Sequence, residues 1–83
     1  MSERIEDALK QMLVDRMVLK MNPAEIDESK SLMDDYGIDS VAVLEIIVGI
    51  EEKFGIVIED GDFTLANFRT LTDIANYIRG KQV

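Results

Sequence analysis

Within the first seventeen positions, Ile5, Ala8, Leu9, Met12, Leu13 and Met17 fall at spacings of three and four. That period puts them on one side of an amphipathic helix over residues 2–17, with Ser2 as its N-cap and acids in its first turn. The period then stops. Between Val18 and Asp39 lies the chain's single proline, in "NPAE". Asn22 as N-cap, Pro23 at the first helical position and Glu25 closing a capping box predict one short helical turn inside a long structured loop. A connection of this length in a small domain serves a function or packs as an element of its own.

The run "VAVLEIIVGI" is rich in β-branched residues and fits a buried strand as well as a helix. Three features favour helix. The run continues through "EEKF" to a length unusual for a strand, Gly55 stands where a C-terminal glycine would, and "GIDS" supplies two good N-terminal residues, Asp39 and Ser40. A helix over Val41–Phe54 places Leu44, Ile47, Glu51 and Phe54 on one stripe, with Ile46 and Ile50 beside it. Gly49 costs that helix about 1 kcal/mol relative to alanine, so it marks either a close helix approach or a place where the interior is kept open. Beyond Gly55, "IVIEDGDF" reads as an extended passage ending in a turn at Asp60–Gly61, and "TLANF" as one short helix. Thr70 and Asp73 open a last helix with Leu71, Ile74, Ala75 and Ile78 as its apolar stripe and Gly80 as its stop. The expected fold is all-α, a single domain over residues 1–83. It is a small three-to-four-helix bundle with a long loop between the first two main helices.

Composition removes most chemistries. A chain of 83 residues buries only about two-thirds of its unfolded surface, so a deep enclosed active site is hard to build. The longest uncharged apolar stretches, Val41–Leu44 and Ile46–Ile50, are split by Glu45 and fall well short of the roughly 20 residues of a membrane span. The N-terminal "MSERIEDALK" carries charges where a signal peptide needs an apolar core, so a cytoplasmic chain is expected. Cysteine is absent, which excludes disulfides and thiolate metal sites, and histidine is absent, which removes the commonest general base near neutral pH. Two acidic segments fail as calcium loops: Leu32 and Ile38, and Leu65 and Leu71, occupy the positions where an EF-hand needs glycine and a bidentate glutamate. No metal site and no catalytic residue is expected. A net charge of −8 repels nucleic acid and anionic lipid and favours a basic protein surface as partner.

Ser40 stands out. As an N-cap, it or Asp39 would stabilise the helix by about 1 kcal/mol. As a nucleophile it lacks both the G-x-S-x-G elbow and a histidine to take its proton. A remaining role is to be modified by another enzyme, which needs an accessible hydroxyl on a rigid ledge.

The stretch "YGIDSVAVLEIIVGIEEKFGIVI" resembles the G-x-D-S-L to E-E-x-F core of the acyl and peptidyl carrier proteins, the phosphopantetheine-binding domains. Length, acidity and the terminal "LTDIANYI" helix extend the likeness over most of the chain. The resemblance implies that a phosphopantetheinyl transferase moves 4′-phosphopantetheine from coenzyme A, with magnesium, onto Ser40, whose motif acid is Asp39. The arm's thiol then carries acyl groups as thioesters for fatty acid, specialised lipid or polyketide biosynthesis. It also implies that Glu45, Glu51 and Glu52 dock on arginine- and lysine-rich acyl-loading, synthase or acyltransferase enzymes, with docking slowed by salt. Val41, Glu45 and Val48 recur along one side of the helix as a contact patch. Val41 stands where the family usually has leucine, and Ala42 where fatty-acid carriers often have another acid. An acyl chain buried between helices would be lined by Ile46, Ile47, Ile50 and Ile74, with Gly49 giving room. The expected protein is a monomeric, non-enzymatic carrier. Its rivals are an aminoacyl, D-alanyl or peptidyl carrier, to which "DFTLANFRTL" bears some likeness, and an unmodified acidic helical interaction module.

Overall fold

In the computed structural model, which describes residues 4–62 and 64–82, the order of elements is all helical. α1 spans Ile5–Asp15, α2 Ser40–Phe54, α3 Leu65–Phe68 and α4 Leu71–Gln82, with 3₁₀ turns at Pro23–Glu25 and Asp60–Asp62. No strand occurs among the described residues.

α1 buries Ala8, Leu9, Met12 and Leu13, the stripe its period predicts. Its ends differ from the expectation. Ser2 lies outside the described residues, and Arg4 occupies the N-cap position without a side-chain cap bond. At the other end the helix stops at Asp15, and Met17 leaves the stripe, 70% exposed with φ of 61°. The Met17 N–H donates to the Val14 carbonyl (3.0 Å) and the Val18 N–H to that of Leu13 (2.8 Å). This is a Schellman turn, whose left-handed position normally holds glycine. With methionine there, the sequence gives no stop signal.

The long loop packs as an element. Leu19, Ile26, Leu32 and Ile38 enter the core. The Tyr36 hydroxyl accepts from the Asp27 N–H at 2.7 Å, and the Glu28 carbonyl accepts from the N–H and the hydroxyl of Thr72, both at 3.1 Å. The turn at Pro23 forms as expected, but the Asn22 side chain caps the Ala24 N–H, one residue short of the capping box expected with Glu25.

α2 begins at Ser40, with Asp39 as its N-cap, and ends at Gly55 in the left-handed conformation, φ 65°. Its buried face is Val43, Ile46, Gly49 and Ile50. Of the stripe Leu44, Ile47, Glu51 and Phe54, Leu44 is 54% exposed and the other three are half-buried. The helix is apolar on nearly every side, so its period alone does not say which side faces in. Gly49 decides it. A Cβ at Gly49 would lie 2.6 Å from Met12 Sδ and 2.7 Å from Arg16 Nε. Gly49 therefore marks close approach of Met12 and the Arg16 stem, beside a surface groove lined by Met12, Asp15, Arg16, Gly49, Glu52 and Lys53.

α4 buries Leu71, Ile74, Ala75 and Ile78 completely, capped by the Thr70 hydroxyl, which accepts from the Asp73 N–H at 3.1 Å. It runs on through Gly80 to Gln82, so Gly80 is not its stop. Arg79 and Lys81 lie in this last turn, where positive charge favours the negative end of the helix dipole. Arg79 donates to Glu6 at 2.6 Å, joining the end of α4 to the start of α1. Tyr77 donates to Asp62 at 2.9 Å and fixes the 3₁₀ turn to α4; burial, then Asp62, raises its phenol to about 12.

Candidate functional site

The approach to α2 is anchored from inside. Gly37 takes φ of 67°, which glycine adopts without a Cβ penalty, and the turn sends Ile38 into the core. The Ile38 N–H donates to the Leu32 carbonyl at 3.0 Å. One residue on, Asp39 has extended backbone, and its Oδ1 accepts from the Ala42 N–H at 2.8 Å.

Either Asp39 or Ser40 could fill the cap from sequence; Asp39 does. Ser40 is the first helical residue, exposed, and its hydroxyl makes no hydrogen bond among the described residues. The hydroxyl is thus held outward on a backbone pinned by a buried isoleucine and a capped helix end. Such a group is open to esterification by an external catalyst. No cluster of three or more acids among the described residues is placed to hold a metal ion.

From Ser40 an apolar stripe runs outward along α2. Val41 is 73% exposed and Val48 43% exposed, with Leu44 between them at helical spacing. The sequence reading puts Leu44 on a stripe with Ile47, Glu51 and Phe54 and does not include it in the contact patch of Val41, Glu45 and Val48. The signal that finds it is Gly49, which, once taken as the helix contact, turns Leu44 to the opposite side.

The acids expected to dock are engaged within the chain. Arg16, just past α1, donates through Nη1 to Glu45 Oε1 and through Nη2 to Glu52 Oε1, the latter at 2.6 Å. The hydrogen bond to Glu45 and the charges of both acids hold the Arg16 guanidinium above its ordinary value, against the opposing effect of desolvation. Glu51 Oε2 accepts from the Ile58 N–H at 2.9 Å and ties the segment after α2 back onto it. The acyl-space residues divide. Ile46, Ile50 and Ile74 lie together in the core at 1% exposure or less, Ile47 packs at its edge, and Gly49 faces α1.

Comparison with known proteins gives the family. The model described as "phosphopantetheine attachment site" matches residues 5–78. The meromycolate extension acyl carrier protein of Mycobacterium leprae is 44% identical over 62 residues, 75% of this chain and 52% of that protein. The chain thus spans about half the length of that relative. An acyl carrier protein of Chlamydia muridarum is 35% identical over 78 residues, 94% of this chain and 96% of that one. The solution structure of a holo acyl carrier protein from Nitrosomonas europaea superposes with a TM-score of 0.79 at 25% identity, covering 96% of this chain and 98% of that one. With the family model covering almost the whole chain and these relatives sharing its sequence and its helices, the chain belongs to the phosphopantetheine attachment-site family, that of the acyl carrier proteins.

Proposed function

We propose that the chain is an acyl carrier: Ser40 receives 4′-phosphopantetheine from a phosphopantetheinyl transferase, and the loaded protein presents acyl thioesters to successive enzymes. The single observation that carries this is the Ser40 hydroxyl, exposed and unbonded on the first turn of α2 because Asp39 has taken over the cap. When bound, the prosthetic arm supplies the thiol that the cysteine-free chain lacks. The chain's own residues do the rest. Asp39 and Ile38 hold the attachment point still, and Val41, Leu44 and Val48 offer apolar contact beside it. Glu45, Glu51 and Glu52 give that face its acidic rim. Nothing in this assignment requires catalysis by the chain itself.

A relative named for meromycolate extension favours an acyl cargo over an aminoacyl one. An acyl chain entering between Ile46, Ile50 and Ile74 gains about 0.8 kcal/mol per buried methylene. Because these side chains are closely packed in the unloaded fold, entry requires the helices to part. Octanoyl loading is expected to shift the NMR signals of these isoleucines; changes confined to the surface would reject the internal site.

The deciding experiment is intact-mass measurement after incubation with coenzyme A, magnesium and a broad-specificity transferase. One phosphopantetheine per chain is expected, and none on Ser40→Ala. No gain on the wild-type chain would leave an unmodified interaction module instead. Acyl- and aminoacyl-activating enzymes offered several acids would then separate acyl from aminoacyl carriage.

A further inference from the structure

The docking helix comes with a cation already seated on it. Arg16 crosses α2 over Gly49, where the missing Cβ leaves room for the arginine stem: a Cβ there would lie 2.7 Å from Nε and 3.0 Å from Cδ. The guanidinium then reaches Glu45 on one side of Gly49 and Glu52 on the other. These acids are seven residues apart on α2, a span of about 10 Å along the axis at 1.5 Å per residue. Arg16 bridges it from the middle. Its side chain is only 26% exposed, less than either carboxylate it holds. The third acid of this face, Glu51, is turned to the Ile58 N–H. What α2 leaves without a partner beside Ser40 is its apolar stripe of Val41, Leu44 and Val48.

We propose that Arg16 sets partner selectivity, as an internal counter-cation that makes the α2 face suited to enzyme surfaces with an apolar recess and little positive charge. This rests on the carrier reading above, in which α2 is the face that partners meet. A strongly basic partner meets Glu45 and Glu52 with Oε1 of each already held by Arg16, and must share or displace that cation to pair with them. It gains only the difference between two ion pairs. The long-range field that would steer such a partner is also reduced, because one positive charge already lies between two of the acids that produce it. A partner with an apolar recess pays neither penalty, since the valines and Leu44 are exposed in any case. Arg16 is therefore a positioning residue for the two glutamates, touching neither Ser40 nor the cargo.

The test uses the full chain and a transferase whose docking cleft is lined with lysine and arginine. The rate of phosphopantetheine transfer, as kcat/KM, is followed between about 25 and 400 mM salt, a range over which the screening length falls severalfold. Arg16→Met keeps an apolar stem over Gly49 and frees both carboxylates. It is expected to load about five- to tenfold faster than the wild type at low salt, with the advantage vanishing at high salt. The double variant R16M/E52Q, in which this trio carries the same net charge as in the wild type, is expected to return to about the wild-type salt slope. Equal salt slopes for wild type and R16M, with melting temperatures unchanged, would overturn the role of Arg16 alone. Absence of transfer onto the wild-type chain would overturn the carrier reading, and this inference with it. Should R16M fail to fold, the wild type suffices: adding the basic transferase must shift the Arg16 Nε–H resonance, and an unmoved signal during docking overturns the proposal.

Discussion

At the scale of single residues, the division of labour between Asp39 and Ser40 carries the assignment. Asp39 caps α2, so Asp39→Ala is expected to lower stability by about 1 kcal/mol, read from denaturant unfolding. Ser40→Ala removes a hydroxyl with no internal partner and is expected to leave stability within about 0.5 kcal/mol while abolishing modification. Comparable losses in both variants would mean that the cap is shared and the hydroxyl is not free. Met17 offers the opposite case, a residue working against its backbone. Its φ of 61° costs a methionine about 1 kcal/mol or more that glycine does not pay. Met17→Gly is therefore expected to raise the unfolding midpoint; a lower midpoint would show that its exposed side chain makes a contact worth more than the strain.

At the scale of elements, two helical glycines with the same chemistry have opposite expectations. Gly80 has nothing within 4 Å of where a Cβ would sit, so Gly80→Ala should stabilise α4 by about 0.5–1 kcal/mol through helix propensity. Gly49→Ala would gain the same propensity but drive a methyl against buried Met12 and the Arg16 stem. Overpacking of that kind costs about 1–3 kcal/mol, so a net loss of about 1 kcal/mol is expected, together with displacement of Arg16 from its glutamates. Thermal melting of the two alanine variants side by side checks the contrast. A stabilised G49A would mean that α1 and α2 do not meet as closely as the structure places them.

At the scale of the whole molecule, α1 and α4 are joined by Glu6 and Arg79, residues 73 apart in the chain. Burial pushes the Glu6 carboxyl up, but the hydrogen bond from Arg79, its own backbone N–H and the charges of Arg79 and Arg4 outweigh it, so the group titrates below its ordinary 4.5. A depressed carboxylate contributes stability that is fully present above its unfolded value and lost as pH falls through its folded value. Arg79→Met is expected to cost about 1 kcal/mol at neutral pH, allowing for the partial exposure of Arg79. The gap to wild type should stay constant down to about 4.5 and close below it. A gap that does not change with pH would remove the ion pair as its cause.

Much of this protein is decided by neighbours in the chain. Asp39, Gly55, Thr70 and the spacing of Leu71, Ile74 and Ile78 act within a turn or two of helix, so both ends of α2, the start of α4, the α4 core and the family motif around Ser40 are legible in the order of residues alone. Where the signal is missing locally, the sequence misleads: Met17 hides a Schellman turn, and α2 is too uniformly apolar to show that Leu44 faces out. Packing settles the rest. Which side of α2 meets α1, and where Arg16 places its charge, depend on residues as far apart as Arg16 and Glu52. Periodicity encodes a helix's apolar content; only the shape of the helix laid against it, here over a glycine, selects the face that remains for a partner.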